Sequence, residues 1–264
     1  HQQPDRVPID LGAHGSSGLS FVAYHNLVRY LGMEHLPNQV HDVVQQLSQP
    51  PMELLDFFGA DVLDVGRHFN QVPGYWHEIE LLKGVPAQYP HWFKPEKQPD
   101  GSWLAPNKDG LFVGKMPFGA TFFDQLIFPW KDGFPDDFSC FWEDSKKTVW
   151  GGMGFTPYDW MDEPNFWEML REKTIDLRSK TNKALMLSVG CNLFENGTFI
   201  RRIDNFLMDL FLQPETVHRY LDSLLERHLD FLGKVCASVG DVVDILKFGD
   251  DLGTNTGPFF PAET

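Results

Sequence analysis

Short β-rich runs alternate with stretches of helical periodicity along this chain, and that alternation points to a parallel α/β arrangement. Four such runs stand out: Val7-Pro8-Ile9-Asp10-Leu11 ended by Gly12, then Asp61 to Gly66, Lys183 to Gly190, and Asp241 to Phe248. Between the first two, Leu19, Val22, Ala23, Leu27, Tyr30 and Leu31 recur at helical spacing. Ser16 and Ser17 precede them as an N-cap signal and Gly32 follows as a stop. Further helices are predicted around 52–58, 165–180, 199–212 and 215–239, the last carrying Val217, Leu221, Leu224, Leu225, Leu229 and Leu232.

From His68 to Trp150 the pattern changes. Glycine, proline and aromatic residues alternate with β-like runs such as Trp76 to Leu81 and Gly110 to Gly114, a density that forbids long helices. Residues 68–150 therefore read as a β-hairpin-rich insertion forming a lid or rim within one domain, 1–264. Its Trp76, Trp92 and Trp103, with Trp130, either build the hairpins' own core or cover a flat ligand. Gly257 to Thr264 reads as the lead-in to another helix.

Charge and cysteine usage exclude several classes. The 264 residues carry 37 acidic against 22 basic side chains, a formal net charge of -15, so a polyphosphate backbone would be repelled and nucleic acid is not an expected partner. No run approaches the roughly 18 apolar residues of a membrane helix. No basic stretch followed by an apolar one opens the chain, and the three cysteines are odd in number and far apart. Together these predict a cytoplasmic protein without a disulfide framework. Cys140, Cys191 and Cys236 have no CxxC neighbour, so the sequence offers no metal site within this chain.

Two segments resemble a known family. Gln3-Pro4-Asp5-Arg6-Val7-Pro8-Ile9-Asp10-Leu11-Gly12 is similar to the first strand of bacterial members of the uroporphyrinogen decarboxylase superfamily, and Phe248-Gly249-Asp250-Asp251-Leu252-Gly253-Thr254-Asn255-Thr256-Gly257-Pro258 resembles its mid-barrel signature more closely. The resemblance implies a (β/α)8 TIM barrel, truncated here at the C-terminus, with its site at the C-terminal ends of the strands. It implies one of two activities. The first is corrinoid-linked methyl transfer in C1 metabolism, assisted by zinc whose His-x-Cys and Cys ligands would lie beyond Thr264. The second is cofactor-free porphyrinogen decarboxylation. The partners implied are a small-molecule substrate, a corrinoid protein and a second copy of the chain in a homodimer.

Against the decarboxylase, the arginine pair of the family's Met-Arg-Gln-Ala-Gly-Arg loop is replaced here by Leu11-Gly12-Ala13-His14-Gly15-Ser16-Ser17-Gly18. A serine near Asp251 and a tyrosine near Phe194 are also replaced. In its favour, Asp64 matches the aspartate thought to bind pyrrole N–H groups. A third reading, an inactive fragment or binding module, follows from an unclosed sheet with free edges.

The candidate catalytic residues are Asp250, Asp251 and His14. Asp250 and Asp251 follow a β-run, where such enzymes place working residues, and either serves as an acid, a base or an N–H acceptor, or caps a helix. His14 is a proton donor, a ligand or a loop brace. Asp10, Ser16, Ser17, Asp64, Arg67, Asn70, Asn192 and Thr254 are candidate substrate-binding residues, with Arg67 the best anion anchor of the set. Cys191 reads as a ligand or, more simply, as a small buried residue.

Overall fold

The computed structural model describes residues 5–264, so Gln3 and Pro4 of the first motif lie outside the described residues. In chain order the first part holds β1 (Leu19–Ser20), α1 (Phe21–Tyr30), β2 (Val40–Asp42), β3 (Leu47–Ser48), α2 (Met52–Phe57) and β4 (Val62–Asp64). Six strands follow: β5 (Trp76–Leu82), β6 (Val85–Pro90), β7 (Glu96–Lys97), β8 (Trp103–Pro106), β9 (Phe112–Met116) and β10 (Asp124–Gln125). The remainder is α3 (Phe141–Ser145), α4 (Val149–Gly152), α5 (Phe166–Ser179), β11 (Ala184–Gly190), α6 (Phe194–Arg201), α7 (Ile203–Leu212), α8 (Pro214–Val239), β12 (Ile245–Phe248) and a small hairpin, β13 (Gly253–Thr254) with β14 (Gly257–Pro258).

β4, β11 and β12 form a parallel sheet in the order β12-β11-β4, with Met186 of β11 opposite both Asp64 and Ile245. Leu63, Leu185 and Leu187 on these strands pack with Phe166, Leu170 and Leu177 of α5 and Val235 and Val239 of α8. The other sheets are antiparallel. β10-β9-β8-β7 and the β5-β6 hairpin share an apolar core with α1 and the 40–44 segment, built on Phe21, Val43, Tyr89, Phe93 and Phe123. A third cluster, rich in aromatic rings, joins Trp130, Phe138 and Phe141 to Phe194, Phe206 and Tyr220 of the helical part. Trp130 therefore belongs to the helices' core, while Trp103 packs on the hairpin core.

The expected (β/α)8 barrel is not formed. The described residues hold three parallel strands and several small antiparallel sheets, with no closed barrel, whereas a barrel needs eight parallel strands. The run at Val7 to Gly12 is not a strand, and the reason is local. Pro8 has no N–H, and the Ile9 N–H goes to the Asp61 carboxylate at 2.7 Å, leaving one ladder bond, Asp61 N–H to Ile9 O at 2.8 Å. Arg6 reinforces this by pairing with the same carboxylate. Residues 257–264 hold β14 and turns.

The remaining expectations differ in detail. The cap of α1 is Ser20, whose hydroxyl accepts the Ala23 N–H at 3.2 Å, three residues after the predicted serines. The helix predicted over 199–212 is two helices, α6 and α7, broken at Arg202 with φ 71°. On α8, Val217, Tyr220, Leu224, Val235 and Val239 are buried, whereas Leu225 and Leu229 are exposed.

The α6–α7 break is anchored by a buried ion pair. Arg201 Nε donates to Asp209 Oδ2 at 2.7 Å, and its Nη1 donates to the carbonyls of Trp130 at 2.8 Å and Lys131 at 2.6 Å. Removing one partner leaves a buried charge without its counter-ion, which costs about 3–5 kcal/mol. Asp209→Ala is therefore expected to lower the urea midpoint strongly, and Arg201→Met/Asp209→Leu to lower it much less.

Candidate functional site

Most of the predicted residues sit around the C-terminal ends of the parallel strands. Asp64 ends β4 and is buried at 7% exposure, with its Oδ1 accepting the Gly66 N–H at 3.0 Å. Burial raises its pKa to about 7; the Gly66 and Arg67 amides and the Arg67 charge pull it down, and the Asp10 charge adds to the rise. The loop above it presses close. A Cβ at Gly66 would stand 2.2 Å from Thr156 O, so only glycine fits beneath that carbonyl. Two residues on, Tyr158 donates its hydroxyl to Ser188 O at 2.6 Å, and burial followed by the charges of Asp64 and Cys191 holds it protonated.

Arg67 is buried at 6% exposure, and among the described residues its guanidinium donates one hydrogen bond, from Nη2 to Pro50 O at 3.0 Å. Burial works against its charge and the Asp64 carboxylate works for it. Asn70, also buried, donates to Gln49 Oε1 at 3.0 Å, while Gln49 Nε2 has no partner among the described residues. Beside them lies His41, buried at 6%, with neither ring nitrogen partnered among the described residues. Burial lowers the His41 pKa; Asp42 opposes the shift and Arg67 adds to it. Asp42 itself is committed to its turn, accepting from Val44 N, Gln45 N and Gln45 Nε2.

The loop after Asp10 forms a second part. Asp10 Oδ1 accepts the Ala13 N–H at 3.0 Å, and Asp10 Oδ2 faces His14 Nε2 at 3.1 Å. His14 Nδ1 accepts the Ser16 N–H at 3.2 Å, so the neutral ring carries its proton on Nε2 and donates it to Asp10. Burial lowers the His14 pKa, with Asp10 opposing and the Lys247 charge assisting. Ser17 braces the loop through His14 O and Gly12 N. Gly12, at φ 79°, lets this loop approach Pro50, whose Cδ would lie 2.9 Å from any Cβ there.

Other predicted residues have structural duties. Asp250 accepts the backbone N–H groups of Leu193, Phe194 and Glu195 at 2.8–2.9 Å, capping α6 from the end of β12. Asn192 donates to Glu195, and its carbonyl accepts from His228 at 3.1 Å. Asp251 and Thr254 are exposed. The structure thus gathers Asp10, His14, Asp64, Arg67 and Asn70, and leaves Asp251 and Thr254 outside that group. His41, Gln49 and Tyr158 were not singled out in the sequence; a histidine inside the polar run Gln39 to Gln49 was the available signal.

Zinc does not fit the residues present. Among the described residues no three His, Cys, Asp or Glu side chains are grouped to hold a metal ion. Burial pushes the Cys191 thiol up to about 11. Comparison with known proteins finds no matching family model, no matching curated protein and no matching solved structure. A cleft of about 790 Å³ lined by Arg6, Asp56, Asp61, Lys180 and Lys183 lies at the opposite, N-terminal ends of β4 and β11.

Two outcomes follow. Asp250→Ala removes the acceptor for three helix N–H groups and is expected to cost about 1–2 kcal/mol in urea unfolding, with Asp250→Asn milder. For Asp64, the folded pKa of about 7 lies above the ordinary 3.8, so the native state holds an extra proton between those values. Stability from this group is full below pH 4 and is lost as pH rises through 7, by up to about 4 kcal/mol. Wild type should therefore lose stability relative to Asp64→Asn over that range, and parallel profiles would refute the assignment.

Proposed function

We propose that this chain contributes the substrate site of an enzyme of the uroporphyrinogen decarboxylase superfamily, one that carries out corrinoid-linked methyl transfer in the cytoplasm. The family reading rests on the two residue runs quoted above, and the site reading on Asp64. A buried carboxyl group that titrates near 7 is half-protonated at neutral pH, the condition under which one group both gives and takes a proton efficiently. Removing a methyl group from an oxygen or nitrogen donor leaves an atom that needs a proton, which Asp64 would supply. Arg67, whose guanidinium is buried beside Asp64, would anchor an acidic group of the donor. The Asp10–His14 pair orients the half-buried rim of the same site. The methyl acceptor is a corrinoid on a partner protein.

One observation favours a second reaction. A buried arginine next to a protonatable carboxyl group also suits decarboxylation of a porphyrinogen, with Arg67 holding the carboxylate and Asp64 protonating the carbon that loses CO2.

The two are separated by assaying the purified protein with a methoxylated aromatic carboxylate plus cob(I)alamin, and with uroporphyrinogen. Methylcobalamin formation supports the first reaction and CO2 release the second. In either case Asp64→Asn should lower the rate by about 10²–10⁴. The wild-type rate should fall as pH rises above about 7, where Asp64 loses its proton. No turnover in either assay, or full activity in Asp64→Asn, would overturn the proposal.

A further inference from the structure

A second cleft, of about 560 Å³, opens among the hairpins, away from Asp64. Three segments border it: the loop after β6 with His91, Trp92 and Lys94, the β8–β9 turn with Asn107 and Lys108, and the turn holding Asp159 and Trp160. Its volume lies within the roughly 300–1,000 Å³ of small-molecule sites.

The lining is unusual for this protein. The chain has 37 acidic and only 22 basic residues, yet Lys94 and Lys108, both exposed, meet at this cleft with His91. Glu163 is the exposed carboxylate facing them. Two indoles, Trp92 and Trp160, supply flat apolar surface in the same cleft.

The walls are held in place before any ligand arrives. Asp159 Oδ2 accepts the Tyr75 hydroxyl at 2.7 Å and the Trp92 indole N–H at 3.4 Å. Lys108 donates to the Asp159 carbonyl, and Asn107 Oδ1 accepts the N–H groups of Asp109 and Leu111, which fixes the turn. Asp159 Oδ1 is buried and has no partner among the described residues, an uncommon state for a carboxylate oxygen. Fixed aromatic walls reduce the entropy lost on binding.

We propose that this cleft binds a planar aromatic anion, its ring against Trp92 and Trp160 and its acid group at Lys94 and Lys108. Aromatic stacking supplies contact area, and the two ammonium groups select the charge in a field that is otherwise negative. The site does not depend on the chemistry assigned to Asp64.

The test uses ligand-observed saturation-transfer NMR and calorimetry on the whole chain, with indole-3-acetate, indole and acetate as probes. Indole-3-acetate should bind more tightly than either half, and raising the salt from 50 to 500 mM should weaken it but not indole. Lys94→Gln/Lys108→Gln should weaken indole-3-acetate by about tenfold, roughly threefold per charge, and Lys94→Gln alone, which spares the Lys108 contact with the Asp159 carbonyl, by about threefold with indole unchanged. Asp64→Asn should leave all three probes unaffected. Equal binding of indole and indole-3-acetate, no response to the double substitution, or no saturation transfer at millimolar indole-3-acetate would overturn the proposal.

Discussion

Strand β11 pairs on both edges, with β4 on one side and β12 on the other, and a parallel strand in that position must be covered on both faces. Leu185 and Leu187 are fully buried and the helices α5 and α8 supply part of the cover. Everything placed at the C-terminal edge of this sheet inherits its rigidity. Asp64 stands where β4 ends, and Tyr158 is tied to the carbonyl of Ser188 on β11. Asp250, just beyond β12, caps α6. One short sheet thus fixes the positions of three polar groups that lie far apart in sequence.

Covering the edge has an electrostatic cost, and that cost shapes the candidate site. Asp64, Arg67 and His41 are all more than nine-tenths buried, and none has a full set of hydrogen-bond partners among the described residues. Desolvation is the first cause of the shift at each, raising Asp64 and lowering Arg67 and His41. The proposed proton transfer and acid recognition rest on this carboxyl group and the buried guanidinium beside it. By contrast, Arg201 and Asp209 are equally buried but paired with each other and with carbonyls, which makes them a structural brace.

The hairpin region solves a different problem. Its many Gly and Pro residues prevent long helices, so its apolar side chains are gathered by short antiparallel strands onto α1 and the 40–44 segment. The aromatic surplus read from the sequence is accordingly divided. Phe93 and Phe123 fill the hairpin core, Trp130 joins the helical cluster, and Trp92 lines a cleft.

Periodicity and punctuation determined much of the local structure: α5, α8, β11 and the short strands between Trp76 and Gln125 follow from residue spacing, from Pro214 at the start of α8 and from glycine. Arg67 was legible as a candidate because it follows a β-run, and Asp64, within that run, because it matches an aspartate of the family it resembles. The sequence could not decide pairing. The run at Val7 to Gly12 has a strand's composition, yet Pro8 and the Asp61 carboxylate divert its hydrogen bonds, so it adds no strand to the three of the parallel sheet. Asp250 and Asp251 looked alike in the motif, and only the approach of α6 gave the first its three amide donors and left the second in solvent. The polar run around His41 was a weak signal in sequence, because what makes this histidine unusual is desolvation beside Arg67, a residue 26 positions away. Local sequence sets which backbone conformations are cheap; which charges lose their water depends on contacts between distant segments, and those exist only once the chain has folded.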